Sequence, residues 1–174
     1  MLLMRHNVMM VSELFRFDAP ISVAGWSAVD DRVMGGVSQS CMRHDPAGFA
    51  VFEGVVSLEN NGGFASVRSC APHVAPAAAA QYLIEVCGDG KRYKLSLRMN
   101  ERSDALSYQA AFEPPLGAWR LLQIPVTAFN ATFRGRRVQD APPLDPASVV
   151  QLGLMIADGQ TGPFRLAIRS LGTK

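Results

Sequence analysis

Two adjacent carboxylates, Asp30 and Asp31, stand in a long polar loop. Side by side, such residues could act as general acid and base or offer oxygens to a hard cation. The simpler reading is structural, because loop aspartates accept hydrogen bonds from nearby backbone amides. No spaced Asp-x-Asp-x-Asp loop follows, so a calcium site of that type is not expected. Met34-Gly-Gly-Val-Ser38 superficially resembles a phosphate loop or a nucleophile turn. It lacks the Lys-Ser/Thr ending of the first and the second glycine of the second, which leaves a backbone requirement for paired glycines.

Asn60-Asn-Gly-Gly-Phe64 is a turn that also offers two amides for ligand contact, and Arg68 follows eight residues after Asn60. An ion pair between Arg68 and Asp30 or Asp31 would explain both. Arg134-Gly-Arg-Arg137, flanked by Phe129 and Phe133, is the densest basic cluster and could take phosphate, acidic peptide or single-stranded RNA. His6, His44 and His73 are too scattered for a metal-ligand set, and Cys41, Cys70 and Cys87 form no Cys-x-x-Cys pair. We therefore expect no catalytic residue, no metal and no cofactor. Asp30, Asp31, Asn60, Asn61, Arg68 and Arg134 are the candidate partner- or ligand-binding residues, expected to converge at one end of the domain. Trp26 and Trp119 could stack on a sugar, but burial is the commoner fate of tryptophan.

The elements that must position these residues are strands. Tyr93, Leu95, Leu97 and Met99 alternate with Lys94, Ser96 and Arg98, the period of a strand with one buried face. The spans 106–112 and 163–169 repeat the pattern, and 13–17, 49–58, 64–69, 82–87, 119–124 and 149–156 are rich in β-branched or aromatic residues. Nine strands result. Asn61-Gly62 and Asp89-Gly90 supply the left-handed residues of tight hairpins, with positive φ expected at Gly62 and Gly63. Helical signals are confined to 76–81 and to a turn that Asp145 opens with Pro146. An all-β domain of antiparallel sheets follows, with long loops at 27–46, 72–80 and 127–147.

The chain has 174 residues, 48% of them hydrophobic, enough for one domain spanning 1–174. Seventeen basic against fifteen acidic residues provide no overall field, which argues against nucleic acid as the main partner. The apolar run 1–11 is interrupted by Arg5, His6 and Asn7, and no segment has the roughly 20 apolar residues of a membrane span. A soluble cytoplasmic protein, most plausibly bacterial, is expected.

The polar loops also carry a family resemblance. Trp26-Ser-Ala-Val-Asp-Asp-Arg-Val-Met-Gly-Gly-Val-Ser-Gln-Ser40 and Glu59-Asn-Asn-Gly-Gly-Phe-Ala-Ser-Val-Arg68 are its main features. Phe133-Arg-Gly-Arg136, Gly153-Leu-Met-Ile-Ala-Asp158 and Gly162-Pro-Phe-Arg-Leu166 add to them. From about Leu14 to Leu171 the chain resembles the complex I intermediate-associated protein family. That resemblance implies a jelly-roll β-sandwich like that of galactose-binding domains. It also implies a non-catalytic assembly factor for NADH:ubiquinone oxidoreductase, which holds an immature subunit or intermediate with its end loops. A carbohydrate-binding module using the same loops is the alternative.

Overall fold

The structure, a computed structural model, describes residues 12–102 and 105–174. The apolar run 1–11, with His6, lies outside the described residues. Among the described residues thirteen strands form: β1 (Ser12–Arg16), β2 (Ser27–Ala28), β3 (Gln39–Asp45), β4 (Phe49–Val56), β5 (Ala65–Cys70), β6 (Gln81–Cys87) and β7 (Tyr93–Arg98). They continue as β8 (Ser107–Phe112), β9 (Trp119–Pro125), β10 (Asn130–Phe133), β11 (Arg136–Arg137), β12 (Gln151–Ile156) and β13 (Gly162–Thr173).

One sheet runs β3-β4-β13-β6-β9, with β1 paired to β13, and the other runs β11-β10-β8-β7-β12-β5-β2. Every ladder between these strands is antiparallel. The expected jelly-roll sandwich of two antiparallel sheets is what the chain forms.

Alternation decides which face is buried. Tyr93, Leu95 and Leu97 of β7, Tyr108, Ala110 and Phe112 of β8, and Leu152, Leu154 and Ile156 of β12 point inward. They meet Phe52 of β4, Phe164, Leu166 and Ile168 of β13, and Ile84 and Val86 of β6. Ring pairs such as Phe52–Tyr93, 6.2 Å between centroids, lock the two inner faces together. Trp26 is buried against Phe15 and Phe17, whereas Trp119 is half-buried beneath Arg169 at 4.0 Å on the opposite face of the first sheet.

All nine expected strands form, and four more join them. The loop expected at 27–46 contains β2 and β3. Strand β3 is an edge strand of mostly polar residues, so no apolar alternation announces it. Asn61-Gly62 and Asp89-Gly90 do not close hairpins. They lie between β4 and β5 and between β6 and β7, each pair belonging to different sheets, so both are arches across the sandwich.

Gly63 has positive φ (138°) as expected, but Gly62 is at −68° and the left-handed positions go to Asn60 (55°) and Asn61 (60°). Asparagine tolerates that region because its short side chain hydrogen-bonds locally. The 76–81 segment is a turn running into β6, not a helix. Asp145 does cap the short 3-10 turn Pro146–Ser148, accepting from the Ala147 amide at 3.0 Å and the Ser148 hydroxyl at 2.6 Å.

Candidate functional site

The loop between β2 and β3 folds around Asp31, which is fully buried. Its Oδ1 accepts from the Ser38 amide at 3.0 Å. Its Oδ2 accepts from the Ser38 hydroxyl at 2.6 Å, the Gly63 amide at 2.7 Å and the Phe64 amide at 3.3 Å. Burial pushes the carboxyl pKa up, yet the Ser38 hydroxyl and the Gly63, Ser38 and Phe64 amides outweigh it and hold the group below its usual value. Asp31 is thus a buried carboxylate stabilised by neutral donors.

Two glycines clear the space for it. A Cβ on Gly36 would lie 2.4 Å from Asp31 Cγ, and one on Gly62 would lie 2.5 Å from Oδ2. The paired glycines that looked like a phosphate loop are therefore packing partners of a carboxylate. The Ser38 hydroxyl also accepts from the Ser57 amide at 2.9 Å, so the end of β4, the start of β3 and the start of β5 meet at one point.

Asp30 repeats the device one residue earlier and faces the other way. It accepts from the Ser40 amide at 3.0 Å, the Ser40 hydroxyl at 2.6 Å and the Ser66 amide at 3.0 Å. Ser40 is on β3 of one sheet and Ser66 on β5 of the other, so Asp30 fastens the sheets together at this edge. Ser66 completes the fastening by donating its hydroxyl to the Val29 carbonyl.

Around this knot the chain exposes apolar side chains. Val33 is 77% and Met34 59% exposed, and Val37, Val55 and Leu58 are also exposed. Asn60 and Asn61 are exposed beside them. Sequence reasoning passed over Val33 and Met34. The available signal was two large apolar residues inside an otherwise polar, glycine-containing loop.

Arg68 is half-buried on the outer face of the seven-stranded sheet and forms no ion pair with Asp30 or Asp31, whose oxygens are already occupied. Burial, then the neighbouring charge of Arg98, lowers its pKa. Arg134 occupies the turn between β10 and β11 at φ 49°, exposed, with its guanidinium 5.2 Å from the Phe133 ring centroid.

The sheet order separates these residues. Asp30, Asp31, Asn60 and Asn61 gather at the β2–β5 edge, Arg68 sits on β5 itself, and Arg134 lies at the far edge beyond β10. The expected convergence of all six is therefore not the arrangement the fold gives. Two open depressions of about 370 and 390 Å³ flank Tyr108 and Pro142, and none of the six lines either. Among the described residues, no group of three or more histidine, cysteine or acidic side chains could hold a metal ion. No described helix is long and apolar enough to cross a membrane.

The family profile of Complex I intermediate-associated protein 30 (CIA30) matches residues 15–168, and the chain belongs to that family. An uncharacterized protein of Schizosaccharomyces pombe is 32% identical over 76 residues, 41% of this chain and 35% of that protein. The match thus spans about a third of the relative's length. Among solved structures, a family 11 carbohydrate-binding module from Clostridium thermocellum, in complex with a β-1,3-1,4-mixed-linked tetrasaccharide, superposes with a TM-score of 0.69. It is 13% identical, with 94% of each chain covered. A family 29 carbohydrate-binding module gives 0.56 at 11% identity, covering 94% of this chain and 84% of its own. At these identities the likeness is one of fold.

Proposed function

We propose that the protein is a non-catalytic binding domain that holds an immature subunit or assembly intermediate of NADH:ubiquinone oxidoreductase. Membership of the CIA30 family across 15–168 is the observation that carries this reading. The state of the acidic pair supports it. Asp31 has no exposed surface and both carboxylates are engaged by serine and backbone donors, so neither is placed to exchange protons with a substrate.

The contact surface is the β2–β5 edge. There a polar knot keeps the loop rigid while Val33, Met34 and Leu58 face outward with Asn60 and Asn61. Exposed apolar anchors on a rigid loop lose little entropy on docking, which suits a partner interface. Affinity capture with the tagged chain from host membranes should recover subunits of that oxidoreductase, and Val33→Asp with Met34→Asp should abolish the recovery. Binding to a glycan array without subunit recovery would favour a carbohydrate-binding module instead.

A further inference from the structure

The two outer faces of the sandwich treat charge differently. On the six-stranded sheet, Arg43 pairs with Glu53 at 2.5 Å, Arg165 approaches the same carboxylate at 3.9 Å, and Arg169 meets Glu85 at 3.2 Å. On the seven-stranded sheet no described residue neutralises the central arginines. Among the described residues Arg68 has neither hydrogen bond nor ion pair, and it lies close enough to Arg98 to feel its charge. Arg98 donates one N–H to the Ala105 carbonyl at 3.0 Å, while its Nε is buried without a partner. Gln151, paired between Arg98 and Cys70, likewise has a buried and unpartnered side-chain oxygen. Glu101 reaches this face at the Cys70 thiol, 3.6 Å away, and pairs with neither arginine.

The backbone register places this chemistry on two neighbouring rows: Cys70, Gln151 and Arg98 are partners across β5, β12 and β7, and the next row with the same orientation forms a longer track. Ser27, Arg68, Gly153, Ser96, Gln109 and Asn130 are successive partners across β2, β5, β12, β7, β8 and β10. Five strand steps span about 24 Å. At its middle, Gly153 lets the Arg68 stem lie over β12, since a Cβ there would approach Arg68 Cγ to 3.2 Å. No residue of this track is aromatic, because Tyr93, Tyr108 and Phe112 on the same strands point into the core. A sugar chain would find no ring to stack on. An extended chain of carboxylates would find two guanidinium groups, an amide and hydroxyls.

We propose that the outer face of the seven-stranded sheet binds an extended acidic peptide segment of a protein partner, with Arg68 and Arg98 taking its carboxylates and Gln151 its backbone amide. This site rests on the assembly reading and adds a second, electrostatic contact to the apolar edge. Unpaired, partly desolvated guanidinium groups are costly until an anion arrives, and carboxylates satisfy them with short charge-assisted bonds.

The test is fluorescence anisotropy of the full chain with labelled hexaglutamate at low ionic strength, with polygalacturonate and inorganic phosphate as separate arms. Hexaglutamate should bind, and Arg68→Gln and Arg98→Gln should each weaken it by about tenfold or more. Arg120→Gln on β9 of the other sheet should change it less than about twofold. Arg68→Gln should melt no lower than the wild type, and Arg68→Lys should recover part of the binding. Absence of hexaglutamate binding, equal loss in Arg120→Gln, a large drop in melting temperature for Arg68→Gln, or binding of polygalacturonate or phosphate alone would each overturn the site. Subunit capture that survives Arg68→Gln would remove this contact and leave the assembly reading standing.

Discussion

Asp31 and Arg68 lie near the same edge of the molecule and are both withdrawn from water, yet the fold treats them in opposite ways. Around Asp31 the chain turns four donors inward: two backbone amides from the turn before β5, and the amide and hydroxyl of Ser38. Around Arg68 the described residues supply no acceptor; Ser96 stands directly across β12, and the charge that reaches Arg68 is that of another arginine, Arg98. A buried charge that the chain satisfies itself belongs to the architecture. A half-buried charge left unsatisfied is a candidate for contact with something outside the chain. Residue type alone does not separate the two, since both stand within the segments that carry the family resemblance.

Removing the satisfied charge is the most damaging way to test this contrast. Asp31→Ala leaves the Ser38, Gly63 and Phe64 donors buried without an acceptor. It should cost about 3–5 kcal/mol in urea unfolding, a large share of a typical domain's stability. Gly36→Ala attacks the same knot sterically, because its Cβ would sit 2.4 Å from the carboxylate carbon and 2.9 Å from Asp31 Cβ. A loss of about 1–3 kcal/mol is expected by the same measurement.

Acid probes the knot without mutation. The native pKa of Asp31 is held below the usual carboxylate value, so as pH falls the unfolded chain takes up this proton first. Its contribution is complete above that value and disappears as pH drops through the native pKa. Asp31→Asn should therefore be less stable near neutrality and show a shallower acid-induced decline. Arg134→Ala, at an exposed turn where the guanidinium lies over the Phe133 ring, should change stability by about 0.5 kcal/mol or less in thermal melts.

How much of this was legible in the sequence depends on where the determining contacts lie. The nine expected strands were readable because alternation is local: Tyr93, Leu95 and Leu97 mark their buried face within six residues. Strand β3 was not, because it pairs at an edge and is stabilised by β4 more than by its own apolar residues. The Asp31 knot joins residues 7, 32 and 33 positions apart, and no spacing rule links an aspartate to amides that the chain brings back just before β5.

Asp30 and Asp31 were readable as hydrogen-bonding loop residues but not as a fastening between sheets. The ion pair expected between them and Arg68 does not form, and the serines and amides take the carboxylates instead. Arg134 belonged with the others only by its polarity, and the sheet order put it at the far edge.

The most direct measurement compares equilibrium urea unfolding of Asp31→Ala and Arg68→Met at neutral pH and low salt. The first should lose about 3–5 kcal/mol. The second should lose nothing, or gain up to about 1 kcal/mol, because an uncompensated guanidinium is replaced by an apolar side chain. A stable Asp31→Ala together with a strongly destabilised Arg68→Met would reverse the assignment of architecture and binding between these two charges.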